Sequence, residues 1–567
     1  MNFIPINKLQ FPQLDAVMGN TSYYRDLFIR TFYSDEKLEL IKKPNIFFVI
    51  GDKGTGKTAY ATFLESKNDK HNRMHTYIAP LKTTNYTTFA QLKQNNKIGL
   101  DDYDDIWSLL LLLMLAKIIA DCERANGSVQ RGIKLNVLKK YINSFYKSGQ
   151  LPTITKLLNI TEKHKNVAEA IAKLKVSFTE ASATLGEHMD IETSFENYTL
   201  SDSSSYITRE LISIISEIRM SKEYVIFIDG IDIRPDSIQY DEYIACIRGL
   251  ADAAWYLNVE ILQKNKLTRG IRFVLLLRPD IFDEINMVNS GLKLMNNSVL
   301  LNWTTSYIDY RQSSLFKLAD QLLYGQQVTK KSERLDVGKA WDNYFGYKIP
   351  RYNYHTSTFE DNKDGSFIDF LRYSFHRPRD IIALLAFVQQ NSLNILVDPA
   401  TATQFPKINF KDRNLSQLYW RYLKEEVKES LVFYHSRSYF GFFITFFSYL
   451  KDYVDLNSLE FSYDSYVNAF TKFANYFNTK KDSQKIHIYE SHDTFLQILY
   501  ELNIISYIEE SNKSSQYRIF RWYFRRDIVI EPHSYVRTHC NYKLHNGMAA
   551  AFGIKTILEP ELFDSSI

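Results

Sequence analysis

Cysteine is scarce: the 567-residue chain carries three, Cys122, Cys246 and Cys540, far apart and in no ligand-like spacing. That excludes a disulfide scaffold and a cysteine zinc site, and it fits a reducing compartment. The opening segment, Met1 to Lys8, lacks a basic stretch followed by an apolar core and a small-residue cleavage site, so secretion is not expected and a cytoplasmic location is. Long hydrophobic runs are missing too. The two densest, 107–120 and 439–450, stop short of the roughly 20 residues that span a bilayer, and buried helices explain them more simply. Net charge is only +4, which neither demands nor excludes a nucleic-acid partner. There is no internal repeat and no nuclease carboxylate cluster, and neither a Ser-His-Asp nor a glycosidase arrangement can be argued. His533, His539 and His545 are not at zinc-ligand spacing.

What is present is a folded composition and one complete nucleotide signature. Apolar residues make up 45% and charged ones 24%, while 39 Tyr and 38 Phe argue against extensive disorder. The length calls for several domains rather than one core. After the apolar run Ile46 to Ile50 comes Gly51-Asp52-Lys53-Gly54-Thr55-Gly56-Lys57-Thr58, followed by a helix-compatible stretch from Ala59 to Glu65. A strand that ends in such a glycine-rich turn points successive backbone N–H groups into one concavity, the mechanism of a P-loop. Gly51, Gly54, Thr55, Gly56, Lys57 and Thr58 are then the phosphate-binding residues. Lys57 reaches the β- and γ-phosphate oxygens, and Thr58 is a magnesium ligand.

Periodicity along the chain gives an α/β protein with a mainly parallel sheet. Residues 1–44 read as a mostly helical lead-in to a P-loop core at 45–310. Two helices are expected within 101–147, and the polar region from about 150 to 200 reads as part of an insertion spanning about 101–200. Further helices are expected over 206–220 and 237–263, with short apolar strands at 224–228 and 271–277. Helices then dominate, including 313–323 and 367–389. These suggest a helical lid over 311–400 and a connector over 401–480. Residues 481–567 end in helix, strand, turn, strand, as a winged-helix module does.

Hydrolysis needs an acidic group at a neighbouring strand end. The strand ending at Ile228 runs into Asp229-Gly230-Ile231-Asp232, which puts Asp229 in the magnesium-associated position and Asp232 where it can orient water. An ordinary Asp-Gly turn is the bland alternative. Arg278 follows the next strand at its carboxyl end, where ligands sit in open α/β sheets; a γ-phosphate, a neighbouring subunit, or a plain salt bridge to Asp280 or Asp283 are all open to it. Pro378 fixes a helix start, where Arg377 or Arg379 on a lid could report nucleotide state by reaching phosphate; Arg379 pairing with an acidic neighbour is the alternative. Asp52 and Thr62 read as structural. Within 513–526, Lys513, Arg518, Arg521, Arg525 and Arg526 interleave with Tyr517, Trp522, Tyr523 and Phe524. That composition suits DNA contact or protein docking, and equally the core of a wing strand.

Taken together, the P-loop, Ile228 to Asp232, Leu277 to Phe282, Leu301 to Trp303, Arg377 to Asp380 and the closing Leu499 to Ile505 resemble a bacterial family of STAND-like P-loop ATPases, relatives of the AAA+ and origin-recognition class. The resemblance implies ATP and Mg2+ as ligands, nucleotide-gated homo-oligomerisation, and a protein effector encoded nearby, often in phage-defence loci. It implies an ATPase site built on Lys57, Asp229, Asp232, Arg278 and Arg379. Many relatives carry an acidic residue directly after the second Asp, where this chain has Ile233. Turnover is therefore expected to be slow or partner-triggered. A DNA-associated ATPase or loader and a non-hydrolysing nucleotide-responsive scaffold are the competing expectations.

Overall fold

The computed structural model describes residues 3–68, 73–81, 103–123, 129–145, 200–235, 237–327, 336–353, 358–410, 412–434, 439–479, 491–510, 518–527, 530–531 and 533–554. Two compact units divide the chain. One comprises Lys37–Ile50 and Leu64–Leu300, the other Met1–Glu36, Gly51–Phe63 and Leu301–Ile567.

The first unit is built on five parallel strands, β1 (Phe48–Ile50), β2 (Met74–Pro80), β3 (Glu223–Asp229), β4 (Arg272–Leu277) and β5 (Ser298–Leu300), in the order β2-β3-β4-β1-β5. Every residue of β1 and β4 is buried, the reason these strands read as continuous apolar runs rather than alternating ones. The chain leaves β1 toward β2 in one direction along the sheet, and leaves β4 toward β5 in the other. Adjacent strands with opposed connections make a topological switch point at their carboxyl ends, the usual ligand edge of such a sheet. The ends of β1, β3 and β4 share that edge.

After its acidic first turn the Tyr103–Cys122 helix is apolar nearly all round and buried from Ile106 to Ala120, packed against the Leu200–Ser216 and Tyr240–Tyr256 helices. Its two awkward groups are satisfied. Trp107 Nε1 donates to the Cys246 carbonyl at 3.0 Å, and Lys117 pairs with Asp121 at 2.7 Å. Among the described residues no helix is long and apolar enough to cross a membrane. The helical patterns over 101–147 and 206–220 appear as helices 103–122, 129–145 and 200–216, whereas most of the polar region from 150 to 200 lies outside the described residues.

The helix expected over 237–263 ends in a π-helical turn, Leu257–Leu262. Its cause is visible: the buried Asn258 amide donates to the Phe273 carbonyl at 2.8 Å and accepts from the Phe273 N–H at 2.9 Å. The register of β1 begins at Phe48 opposite Leu275, two residues past Phe273, so Asn258 stands in for a strand partner where β1 has not yet begun.

In the second unit an aromatic core of Trp341, Phe345, Phe367 and Phe370 lies among helices Ser314–Tyr324, Lys339–Tyr344 and Phe367–Tyr373 and beside the hairpin β6 (Lys348–Asn353) and β7 (Thr358–Gly365). The single helix expected over 367–389 is split into Phe367–Tyr373 and Pro378–Ile395. Pro378 cannot continue a helix and pushes Arg377 to extended backbone, and buried His376 takes a left-handed φ of 51°. The carboxylate of Asp380 repairs the break by accepting the Phe375 N–H at 2.9 Å.

After helices Arg413–Tyr434 and Tyr439–Leu450, the chain builds a four-stranded antiparallel sheet. Its strands are β8 (Glu460–Ser462), β9 (Ile505–Glu510), β10 (Arg518–Arg521) and β11 (Asn541–Leu544), in the order β10-β9-β11-β8. The expected helix and two strands are there as His492–Glu501, β9 and β10, and the turn expected at 511–515 lies outside the described residues; β8 and β11 flank them in the chain, and the sequence reading had neither.

Replacing Asn258 with Leu leaves both Phe273 backbone groups without partners in a buried sheet. It is expected to destabilise the β1–β5 unit by about 2 kcal/mol or more. A urea transition unchanged from wild type would contradict the role given to this residue.

Candidate nucleotide site

The loop between β1 and the Lys57–Ser66 helix has the backbone its glycines require. Gly54 and Gly56 sit at φ of 85° and 96°, in the left-handed region that side chains avoid. A Cβ at Gly51 would lie 2.5 Å from Thr55 Oγ1, and one at Gly54 would approach Arg379 Cβ at 3.3 Å. Thr55 Oγ1 donates to the Asp52 carbonyl at 2.7 Å, and Trp303 Nε1 donates to the Thr55 carbonyl at 2.8 Å. Lys57 opens the helix, and its buried ammonium donates to the carbonyls of Gly51 at 2.7 Å and Asp52 at 3.2 Å. Thr58 follows in the first turn, half-buried. Tight glycine curvature, a helix N-terminus, an ammonium inside the turn and an adjacent hydroxyl form the donor set that a nucleotide's phosphates and a magnesium ion require. The residues present therefore fit a phosphate chain with a magnesium ion beside it.

Two ionic ties brace this loop from the distant chain of the same unit. Arg377 Nη1 donates to the Lys53 carbonyl at 2.9 Å, and the Arg379 N–H donates to the Gly54 carbonyl at 3.3 Å. Arg377 pairs with the fully buried Asp380 through two bonds of 3.0 and 2.7 Å, and Tyr422 donates to the same carboxylate at 2.7 Å. Glu426 gathers Arg377 at 3.3 Å, Arg379 at 3.3 Å and Lys53 at 3.8 Å, while Lys53 also pairs with Glu429. Burial works to raise the Glu426 pKa, but the charges of Arg377, Lys53 and Arg379 outweigh it and hold the carboxyl below its ordinary value. The second tie is Arg526, which lies 3.8 Å over the Tyr523 ring and grips both oxygens of Asp52 at 3.1 and 3.0 Å.

The other expected residues belong to the β1–β5 unit. Asp229 ends β3 half-buried; its carboxylate accepts the Gly230 N–H at 2.8 Å and its carbonyl accepts the Leu81 N–H at 2.8 Å. A Cβ at Gly230, φ 78°, would lie 2.6 Å from the Leu81 carbonyl oxygen, so this turn needs glycine. Asp232 is half-buried three residues on. Arg278 makes the salt bridge considered for it, holding Asp280 through Nε at 3.1 Å and Nη2 at 2.9 Å. Among the described residues no group of three or more His, Cys, Asp or Glu side chains could hold a metal by itself.

The basic and aromatic stretch near the C-terminus is largely committed within the fold. Arg518 pairs with Glu460 at 2.7 Å and Arg521 with Glu509 at 2.8 Å, while Trp522 and Tyr523 are buried. Lys513 and Tyr517 lie outside the described residues. Sequence reasoning gave no role to Glu426 or Trp303 and left Asp52 as structural, a description that its pairing with Arg526 fits. Comparison with family models, with curated proteins and with solved structures finds no match.

Because its folded pKa is depressed, Glu426 stabilises the fold above its unfolded value and loses that contribution as pH falls through the folded one. Glu426→Gln is expected to cost about 2 kcal/mol at pH 7, and the difference from wild type should shrink below about pH 4.3. Equal urea midpoints at pH 7 would contradict the bracing role.

Proposed function

We propose that the chain is an ATP-binding, slowly hydrolysing switch. The observation that carries this reading is the P-loop itself: left-handed Gly54 and Gly56 and the buried Lys57 follow β1 directly in the chain. The backbone amides of 54–58 and the Lys57 ammonium would take the phosphates. The motif pattern gives Thr58 and Asp229 the role of holding Mg2+, which when bound would neutralise phosphate charge. Asp232 would position the attacking water, and Ile233 beside it supports slow turnover. Arg278, held by Asp280, would act only on exchanging that partner for phosphate. The bracing of the loop by Arg377, Arg379 and Arg526 supports a switch, because a ligand in the loop must act on charges fixed to the helical and C-terminal parts of the same unit. Adenine, homo-oligomerisation and control of a separate effector in antiviral defence rest on the family resemblance. A DNA-associated ATPase is the weaker reading, since Arg518, Arg521 and Arg526 are spent on carboxylates. A non-hydrolysing scaffold is the reading that negligible turnover with intact nucleotide binding would select.

Phosphate release from magnesium-ATP tests this directly. Lys57→Ala is expected to weaken ATP affinity at least about tenfold, and Asp229→Asn to keep binding while lowering turnover about 100-fold. Steady-state kinetics unchanged in both variants would sink the proposed site.

A further inference from the structure

Cations collect at the amino ends of β1, β3 and β4, the end of the sheet opposite its ligand edge. Lys42 and Lys43 lead into β1, Arg219 into β3, and Lys264, Lys266 and Arg269 into β4. These strands are neighbours in the order β3-β4-β1, so the stretches 42–47, 216–223 and 263–271 lie side by side. Side chains tie them to one another. Gln263 Nε2 donates to the Pro44 carbonyl at 2.6 Å, and Asn265 Nδ2 donates to the Ser216 carbonyl at 2.8 Å. Gly270 sits so close to Glu223 that a Cβ there would meet Glu223 Cγ at 2.6 Å. The cations therefore stand on one fixed surface rather than on independent loops.

The acidic residues in and flanking these stretches are already engaged. Glu39 holds Lys42 at 2.6 Å, Glu217 holds Lys134 at 2.7 Å, Glu223 holds Arg73 at 3.1 Å, and Glu260 pairs with Lys264. Buried Glu123, which reaches this end of the sheet, accepts from the Ser221 hydroxyl at 2.8 Å and from Tyr224 at 2.9 Å. Lys43, Arg219, Lys266 and Arg269 are exposed, and none of the four makes an ion pair among the described residues. Helices also end here, at Ile41, Ser216 and Leu262, and cations near helix ends are ordinary. Each such end carries only about half a negative charge, so three ends and the Glu123 carboxylate do not balance four cations. A positive surplus remains.

What the face lacks decides which polyanion it suits. Phe47, the one aromatic residue in these stretches, is buried, so nothing there stacks on an unpaired base as single-strand binding requires. Leu267 is the one exposed large apolar side chain in them, too little to anchor in a bilayer. Neighbouring strands lie about 4.8 Å apart, so β3 to β1 spans about 10 Å. That matches the grooves of duplex DNA, about 6 and 12 Å wide. Arg219 at one end and Lys43 at the other can then meet phosphates of both strands, with Lys266 and Arg269 between them. Contacts of this kind position a duplex without reading its sequence.

We infer that the amino edge of this sheet is a docking surface for the phosphate backbone of double-stranded DNA, indifferent to base sequence. It is separate from the stretch 518–526 and does not depend on ATP binding at residues 51–58.

Fluorescence anisotropy of a labelled random-sequence DNA duplex, titrated with full-length protein at several salt concentrations and without nucleotide, tests it. Log affinity is expected to fall against log salt with a slope of about −3.6 or steeper, about −0.9 for each of four phosphates. Replacing Lys43, Arg219, Lys266 and Arg269 together with Ala should lower affinity at least about tenfold and flatten the slope by about 3. Lys266→Glu combined with Arg269→Glu serves where the fourfold variant does not fold, as judged by circular dichroism, and should also lower affinity at least about tenfold. Arg521→Ala combined with Arg537→Ala, on the other unit, should leave duplex binding unchanged. No binding of the wild type at low salt, or affinity kept by the folded amino-edge variants, overturns the inference. So does a tighter grip on single-stranded DNA, or on vesicles containing phosphatidylserine, than on the duplex.

Discussion

The charge lattice around Glu426 is the constraint on which the loop depends. A glycine-rich turn has little conformational preference of its own, and its shape must be imposed by something stiffer. Here Arg377 reaches the Lys53 carbonyl while bound to Asp380 and Glu426, and the Arg379 N–H reaches Gly54. The arginines are aligned by Pro378, which ends one helix, starts another and sets the direction of both side chains. Removing one member leaves like charges facing each other at low solvent exposure, the costly way to break such a cluster. Arg526 adds an anchor from the other side through Asp52, two residues before Gly54. The loop that carries the nucleotide signature is thereby held by residues more than 300 positions away in sequence.

Much of the scaffold was legible because its signals are local. The P-loop is contiguous, and the buried runs of β3 and β4 announce strands whose two faces are covered. Pro378 marked a helix start correctly, although the same proline should have split the helix read over 367–389. Arg278 and Asp280 are two residues apart, and their pairing was among the open alternatives.

What stayed hidden is non-local. Nothing near Glu426 in the sequence distinguishes it from Glu425 or Glu429 on the same helix; only the fold brings it to Lys53, Arg377 and Arg379. The same is true of Arg526 and Asp52, and of Asn258, whose amide completes a strand edge 15 residues later in the chain. The hairpin β6–β7 and the strands β8 and β11 were missed because they are short or polar and take their register from partners. In the stretch 518–526, the choice between stacking surface and core turned on burial, and Phe520 and Trp522 went to the core with Ile508.

Hydrogen exchange read peptide by peptide, with and without magnesium-ATP, tests the central claim that a nucleotide-binding loop is mechanically tied to residues 377–380 and 526. The account predicts slowed exchange over 51–60 together with a change at 376–380 and 523–527. No change over 51–60 at saturating ATP would contradict the site, and protection confined to 51–60 would contradict the tie.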